Sequence, residues 1–205
     1  MLDRHIHPRV KPALNRLASW LDKPGITPDG LTLTGFAAGV LTLPFLALGW
    51  YPAALVAIVV NRLLDGLDGA LARRRGLTDA GGFLDIALDF LFYALVPFGF
   101  ALAAPAENAL AAAWLLFAFI GTGSSFLAFA ALAAKHNIDN PGYAHKSFYY
   151  VGGLTEGTET IVLFVLCCLF PAHFTLLAWV FGALCWLTTT TRSWSGYLTL
   201  RSLTP

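Results

Sequence analysis

The sequence predicts an all-α membrane protein, with six transmembrane helices and an N-terminal amphipathic helix lying in the headgroup layer. Three observations carry this. Of 205 residues 57% are hydrophobic and only 12% are charged, against roughly 25% charged in an average soluble domain. Six stretches, at about 31–50, 52–75, 81–104, 108–134, 147–170 and 172–198, are apolar and long enough to cross roughly 30 Å of hydrocarbon at about 1.5 Å per residue. Lys and Arg gather at one end of these stretches. No low-complexity tract, charge run or Ser/Gly-rich linker interrupts residues 1–205, which read as a single domain. The net charge of +1 comes without the basic stripe that nucleic acid requires, which excludes that partner.

Residues 1–23 are no cleavable signal, because they carry Lys and Arg throughout and lack a continuous apolar run. Leu2, Ile6, Val10, Leu14, Leu17 and Leu21 recur every three or four residues, with Arg4, Arg9, Lys11 and Arg16 between them. This is the pattern of a juxtamembrane helix in the interface. Pro8 and Pro12 interrupt it, so its regular part is expected to begin near Pro12.

The connections at Trp50-Tyr51-Pro52, Pro105-Ala106-Glu107 and Pro171-Ala172-His173 hold no Lys or Arg. The opposite face collects Lys23, Arg73, Arg74, Arg75, Lys135, Lys146 and Arg201 as well as the basic N-terminal residues. By the positive-inside rule both termini are cytoplasmic, in agreement with an even number of spans. Gly35-x-x-x-Gly39 and Gly153-x-x-x-Gly157 permit close helix approach. Cys167, Cys168 and Cys185 lack paired spacing and read as packing residues. His5, His7, His136, His145 and His173 read as solvated surface, and Trp20, Trp50 and Trp194 as interfacial anchors.

The second and third spans carry the chemistry. Asp65 and Asp68 stand at i,i+3 and Asp85 and Asp89 at i,i+4, about 60° and about 40° apart around a helix, so each pair shares one face. If the turn is centred near Leu77, Asp65 and Asp89 are each twelve residues from it, and Asp68 and Asp85 are nine and eight away. An antiparallel pair would bring the four carboxylates to two common levels, on the order of 6–12 Å below the cytoplasmic surface. An ionised carboxylate in the bilayer centre costs about 3 kcal/mol on insertion scales, so such a cluster needs cations. All-oxygen ligation favours two hard divalent ions, Mg²⁺ or Mn²⁺, which form the usual clamp for displacement at phosphorus. Gly66, Gly69 and Ala70 bare the helix beside the carboxylates for a phosphate, and Arg73 reaches toward phosphate oxygens. Arg62 either offsets the negative charge or snorkels away from it.

The stretch from Asp65 through Asp68, Gly69, Ala72 and Arg73 to Gly81, Asp85 and Asp89 resembles the signature D-x-x-D-G-x-x-A-R…G-x-x-x-D-x-x-x-D of the CDP-alcohol phosphatidyltransferases. The gap from Arg73 to Gly81 is one residue shorter than in many members. The resemblance extends to the basic helix, the Thr27 to Thr32 lead-in and the six-span layout. It implies phosphatidyl transfer from CDP-diacylglycerol to an alcohol, a homodimer, and residence in a bacterial inner membrane. It also implies that Asp65, Asp68, Asp85 and Asp89 ligate two divalent cations, with Asp89 the catalytic base. The nucleotide would meet Gly69 and Arg73, with Asp29, Thr32 and Thr78 closing over it.

On the acceptor side, Lys135, Lys146 and Arg192 stand near the cytoplasmic ends of the last three spans. Members using inositol phosphate or glycerol phosphate hold the acceptor there, although the positive-inside rule alone accounts for such charges. Glu156 and Glu159 stand at i,i+3, about ten residues into the fifth span. Buried acids point to function unless they are protonated or bonded to neighbouring helices, and here they favour a polyol or other hydroxyl-bearing acceptor over a strongly anionic one. A cation transporter and a structural subunit are the rival classes. The first is disfavoured because all four Asp lie near one side and no inverted repeat appears; the second leaves four costly carboxylates unexplained.

Overall fold

A computed structural model describes residues 3–136, 138 and 153–202, with residues 3–8 described through their backbone alone. Among the described residues all regular structure is helical: α1 (Asp3–Leu21), α2 (Pro28–Val40), α3 (Thr42–Ala47), α4 (Tyr51–Arg75), α5 (Asp79–Ala103), α6 (Pro105–Lys135), α7 (Gly157–Leu169) and α8 (Phe174–Arg201). Four segments are long and apolar enough to cross a membrane: Pro28–Ala47, Asp79–Ala103, Pro105–Lys135 and Pro171–Arg201. Helix α4 has the length, with 25 residues, but carries charges along its second half.

Three expectations need correction. The first span is two helices that meet at Leu41, where Pro44 has no N–H to give the Val40 carbonyl. Helix α1 runs unbroken through Pro8 and Pro12. Their two lost bonds are four residues apart and so lie on one face, leaving the rest of the ladder intact. The fifth span is much shorter than 147–170: α7 has 13 residues, about 20 Å of helix. Residues 153–156 precede it without helix, and residues 147–152 lie outside the described residues. Gly153-x-x-x-Gly157 is therefore not a helix-packing motif.

Gly35-x-x-x-Gly39, by contrast, is one. A Cβ on Gly35 would stand 3.0 Å from the Leu64 Cβ, and one on Gly39 would meet Phe92 at 2.8 Å and the Asn61 amide at 2.9 Å. Helix α2 thus lies against α4 and α5 at backbone distance, the use small residues have in membrane helices. Glycines also let α6 and α8 close on each other: Gly121 faces Trp186 and Thr189, Gly182 faces Trp114, and Gly196 faces Phe129. The apolar core, with Ile58, Phe92, Phe100, Leu115, Phe164 and Phe174 fully buried, lies between these two sets of helices. Phe100 stacks on Phe174 with ring centroids 4.4 Å apart. Cys167, Cys168 and Cys185 are buried and unbridged, as packing residues should be.

Helix α1 packs on the end of α4 that carries the aspartates. Leu14 lies over Gly66, where a Cβ would come within 3.0 Å of it, and Ala18 is fully buried. The segment after α1 is tied to the end of α4. Arg75 donates from Nε to Asp22 at 2.8 Å, from Nη2 to the Lys23 carbonyl at 3.0 Å and from Nη1 to the Ile26 carbonyl, while Arg74 donates to Asp22 at 3.3 Å. The hydrogen bond from Arg75, with help from Arg74, holds the Asp22 carboxyl below its usual range. The tie is therefore in place at neutral pH and loosens as pH falls through that lowered value.

Gly39→Leu must overpack the junction of α2, α4 and α5, at a cost of about 1–3 kcal/mol. Thermal unfolding in detergent should show a midpoint several degrees lower, whereas Val59→Leu on the exposed face of α4 should leave it unchanged.

Candidate active site

The site begins with the turn between α4 and α5. Helix α4 ends at Gly76, whose φ of +107° suits glycine and whose N–H donates to the Ala72 carbonyl at 2.9 Å. Two residues on, extended Thr78 N-caps α5, its Oγ1 accepting the Gly81 N–H at 3.1 Å. This short hinge joins α4 to α5, and α2 packs against both helices. Asp65, Asp68, Asp85 and Asp89 line one pocket together with Thr32, Gly35, Phe36, Asn61, Arg62 and Leu88, an empty volume of about 220 Å³. The convergence expected from residue spacing is therefore present.

The carboxylates do not close on a single point. Among the described residues no three His, Cys, Asp or Glu side chains are in position to hold one ion. Arg62 accounts for part of this: Nη2 donates to Asp89 Oδ1 at 2.7 Å, and Nη1 lies 3.5 Å from Asp65 Oδ2. Its Nε donates to Asn61 Oδ1 at 2.8 Å, and the Asn61 amide donates to the Gly35 carbonyl at 2.9 Å. The guanidinium lies over Phe92 at 4.7 Å and Tyr93 at 5.5 Å. Of the two roles open to Arg62, it takes the first and offsets the negative cluster. Asp68 is 4% exposed and its Oδ2 is buried without a partner, which is costly for a carboxylate oxygen unless something electropositive meets it. An orphaned anionic oxygen in a set of four carboxylates is a donor set that suits a hard divalent cation.

A sequence model of the CDP-alcohol phosphatidyltransferase family matches residues 25–192. The chain belongs to that family. As a CDP-alcohol phosphatidyltransferase it is 82% identical over 203 residues, 99% of its length and 98% of the other's, to the inner membrane protein YnjF of Escherichia coli strain K12. It is 42% identical over 98 residues, 47% of its length, to the archaetidylinositol phosphate synthase of Pyrococcus horikoshii, of which that match covers 52%. The solved structure of Mycobacterium tuberculosis phosphatidylinositol phosphate synthase in complex with manganese and citrate shares its fold with a TM-score of 0.72, at 22% identity, over 90% of this chain and 88% of that one. The same protein with CDP-DAG bound gives 0.67, over 90% and 93%.

The residues expected at the phosphatidyltransferase's nucleotide side gather around the hinge. A Cβ on Gly81 would stand 3.1 Å from Asp29 Oδ1 and 3.0 Å from Thr78 Oγ1, and one on Gly69 would stand 3.3 Å from the Arg73 guanidinium. Thr32 donates to the Pro28 carbonyl at 3.1 Å and lines the same pocket as Asp68. Of the three small residues expected to bare α4, only Gly69 does so: Gly66 is covered by Leu14 and Ala70 is fully buried. Spacing on α4 alone cannot reveal that α1 lies across it.

Among the described residues, the acceptor candidates Lys135, Glu156, Glu159 and Arg192 do not line this pocket. Glu156 and Glu159 are not intramembrane acids in mid-helix. They form the capping box of α7, Glu156 accepting from the N3 backbone and Glu159 Oε2 accepting the Glu156 N–H at 3.2 Å. Arg192 is 5% exposed, nine residues before the end of α8, donates to the Thr122 carbonyl at 3.0 Å and lies over Phe126. It is thus buried between α6 and α8 and not placed at a cytoplasmic helix end. Lys135 is exposed at the last residue of α6, and Lys146 lies outside the described residues. Asn61 and Tyr93 were missed by sequence reasoning, since an amide and a phenol in an apolar helix carry no signal until their neighbours are known.

Because Thr78 caps α5, Thr78→Ala should cost about 1 kcal/mol and Thr78→Ser should restore most of it. Thermal unfolding in detergent without nucleotide reads this directly.

Proposed function

We propose that this phosphatidyltransferase acts at the pocket between α2, α4 and α5, moving the phosphatidyl group of CDP-diacylglycerol onto the hydroxyl of a small alcohol. The observation that carries the reading is the gathering of all four motif aspartates in one pocket below the hinge. Asp65, Asp68, Asp85 and Asp89 would hold two divalent cations, Mg²⁺ or Mn²⁺, and such ions when bound supply positive charge against the diphosphate. The manganese and CDP-DAG complexes named for the Mycobacterium tuberculosis synthase support the same assignment.

The chain's own residues do the rest. Gly69 leaves room for a phosphate to approach the helix, and Arg73 beside it offers a guanidinium to phosphate oxygens. Asp29, Thr32 and Thr78 close the cytoplasmic rim against the nucleotide. The acceptor oxygen bonds to the phosphatidyl phosphorus as the bond to CMP breaks, and Asp89 takes the hydroxyl proton. A carboxylate is a weak base toward an alcohol, so alignment of the reactants must supply most of the acceleration. The acyl chains stay in the bilayer, along the exposed apolar faces of the helices.

The membrane layout belongs to the same reading: six crossings in one domain, with α2 and α3 together forming the first and short α7 contributing to the fifth. Both termini are cytoplasmic, and the chain resides as a homodimer in a bacterial inner membrane. The near full-length similarity to the inner membrane protein YnjF supports the location. For the acceptor, we favour a hydroxyl-bearing headgroup such as a polyol. Glu156 and Glu159 no longer argue for it, because they cap α7; its support is now that Arg192 is buried and donates to the Thr122 carbonyl within the bundle. A phosphorylated acceptor is the second reading, favoured by the name of the Pyrococcus horikoshii relative.

Two outcomes test this. CMP release from CDP-diacylglycerol should require Mg²⁺ or Mn²⁺, and Asp89→Asn should keep nucleotide binding while turnover falls by about 10² or more; near-normal turnover removes the base assignment. In a screen of glycerol, serine, glycerol phosphate and inositol phosphate, release should be fastest with an unphosphorylated acceptor. A preference for glycerol phosphate or inositol phosphate selects the second reading.

A further inference from the structure

Arg62 is absent from the family signature, yet it lines the pocket with the four aspartates. Among the described residues lining that pocket it is the one that carries positive charge. Its side chain is 17% exposed, and each of its three nitrogens has a polar neighbour: Nε donates to Asn61, Nη2 donates to Asp89, and Nη1 lies 3.5 Å from Asp65. Asn61 is itself anchored to the Gly35 carbonyl, and Phe92 and Tyr93 cover the guanidinium. Such a side chain neither snorkels nor samples solvent. Its charge is fixed within hydrogen-bond or ion-pair distance of two carboxylates that the proposed function assigns to metal.

A fixed cation has two opposing effects. It relieves repulsion among the four aspartates when nothing else does, and it disfavours any further cation that needs the same oxygens. We propose that Arg62 is a built-in counter-ion that competes with divalent metal for Asp89 and Asp65. It stabilises the metal-free bundle and raises the concentration of ion needed to fill the site. This rests on the reading that the aspartates hold divalent cations. Arg62 is thus a positioning residue that acts through Asp89 and Asp65.

The role predicts the opposite of ordinary structural damage, because removing Arg62 should tighten metal binding while weakening the metal-free protein. The full-length protein in detergent is titrated with Mn²⁺, free Mn²⁺ being followed by electron paramagnetic resonance, and melted in EDTA and in saturating Mn²⁺. R62Q should bind Mn²⁺ about tenfold more tightly than the wild type, melt lower in EDTA, and gain more from Mn²⁺. R62M, which keeps an apolar stem against Phe92, should do the same, and R62K should stay within about threefold of the wild-type affinity. Recovery of R62Q or R62M only when Mn²⁺ is present during solubilisation would agree with the proposal. Unchanged or weaker Mn²⁺ binding in R62Q and R62M, beside saturable wild-type binding, overturns it while leaving the metal reading standing. A wild-type protein without saturable Mn²⁺ binding overturns both.

Discussion

Four carboxylates held inside an apolar helix bundle form the constraint on which the rest of this structure depends. Each is expensive in hydrocarbon, and together they repel one another, so the fold must both bring them together and compensate them. One internal compensation is visible, the Arg62 guanidinium bonded to Asp89 at 2.7 Å and lying 3.5 Å from Asp65. It is partial. Asp68 is left with a buried oxygen, Oδ2, that no donor among the described residues reaches, a position that suits an electropositive ligand.

The local devices around the cluster follow from that need. Gly76 ends α4 and Thr78 starts α5 within three residues, so the connection between the two Asp pairs is short. Gly35 and Gly39 let α2 approach α4 closely, which brings Thr32 into the pocket that Asp68 lines and gives the Asn61 amide its carbonyl. Asn61 then orients Arg62. From α2 to Asp89 the chain of contacts is continuous, and each link uses a residue too small or too polar for ordinary membrane packing. Such residues weaken a helix when considered alone and make sense only as parts of this junction.

The legible part of the fold and site is whatever a single helix or a single turn determines. The Asp pairs share one pocket as periodicity expects, and the positions of α4, α5, α6 and α8 follow from apolar length. What was illegible depends on another segment lying alongside. Nothing near Gly66 says that Leu14 will cover it, and nothing near Pro12 says that α1 continues through it. Pro44 could have signalled the break at Leu41, since a proline four residues past a carbonyl always removes that bond. Glu156 and Glu159 were misread for a related reason. An i,i+3 acid pair fits both a buried site on a long helix and the first turn of a short one, and only the true start of α7 separates these.

That true start also links the two sets of helices. Thr188 on α8 is fully buried, and its hydroxyl oxygen takes the N–H groups of Leu154 and Thr155, both at 3.1 Å. This pins the segment before α7 against α8, while the capping box closes the first turn of α7 itself. Gly157, the first residue of that turn, lies against Tyr93, whose hydroxyl would be 3.3 Å from a Cβ there. Tyr93 is one of the two rings over Arg62. A displacement of α8 would therefore reach the Arg62 and Asp89 pair through three contacts, without any residue of α8 entering the pocket. The late start of α7 is what allows this: in a helix continued back through Leu154 and Thr155 their N–H groups would turn to helical partners, and the bonds they now give Thr188 would be lost.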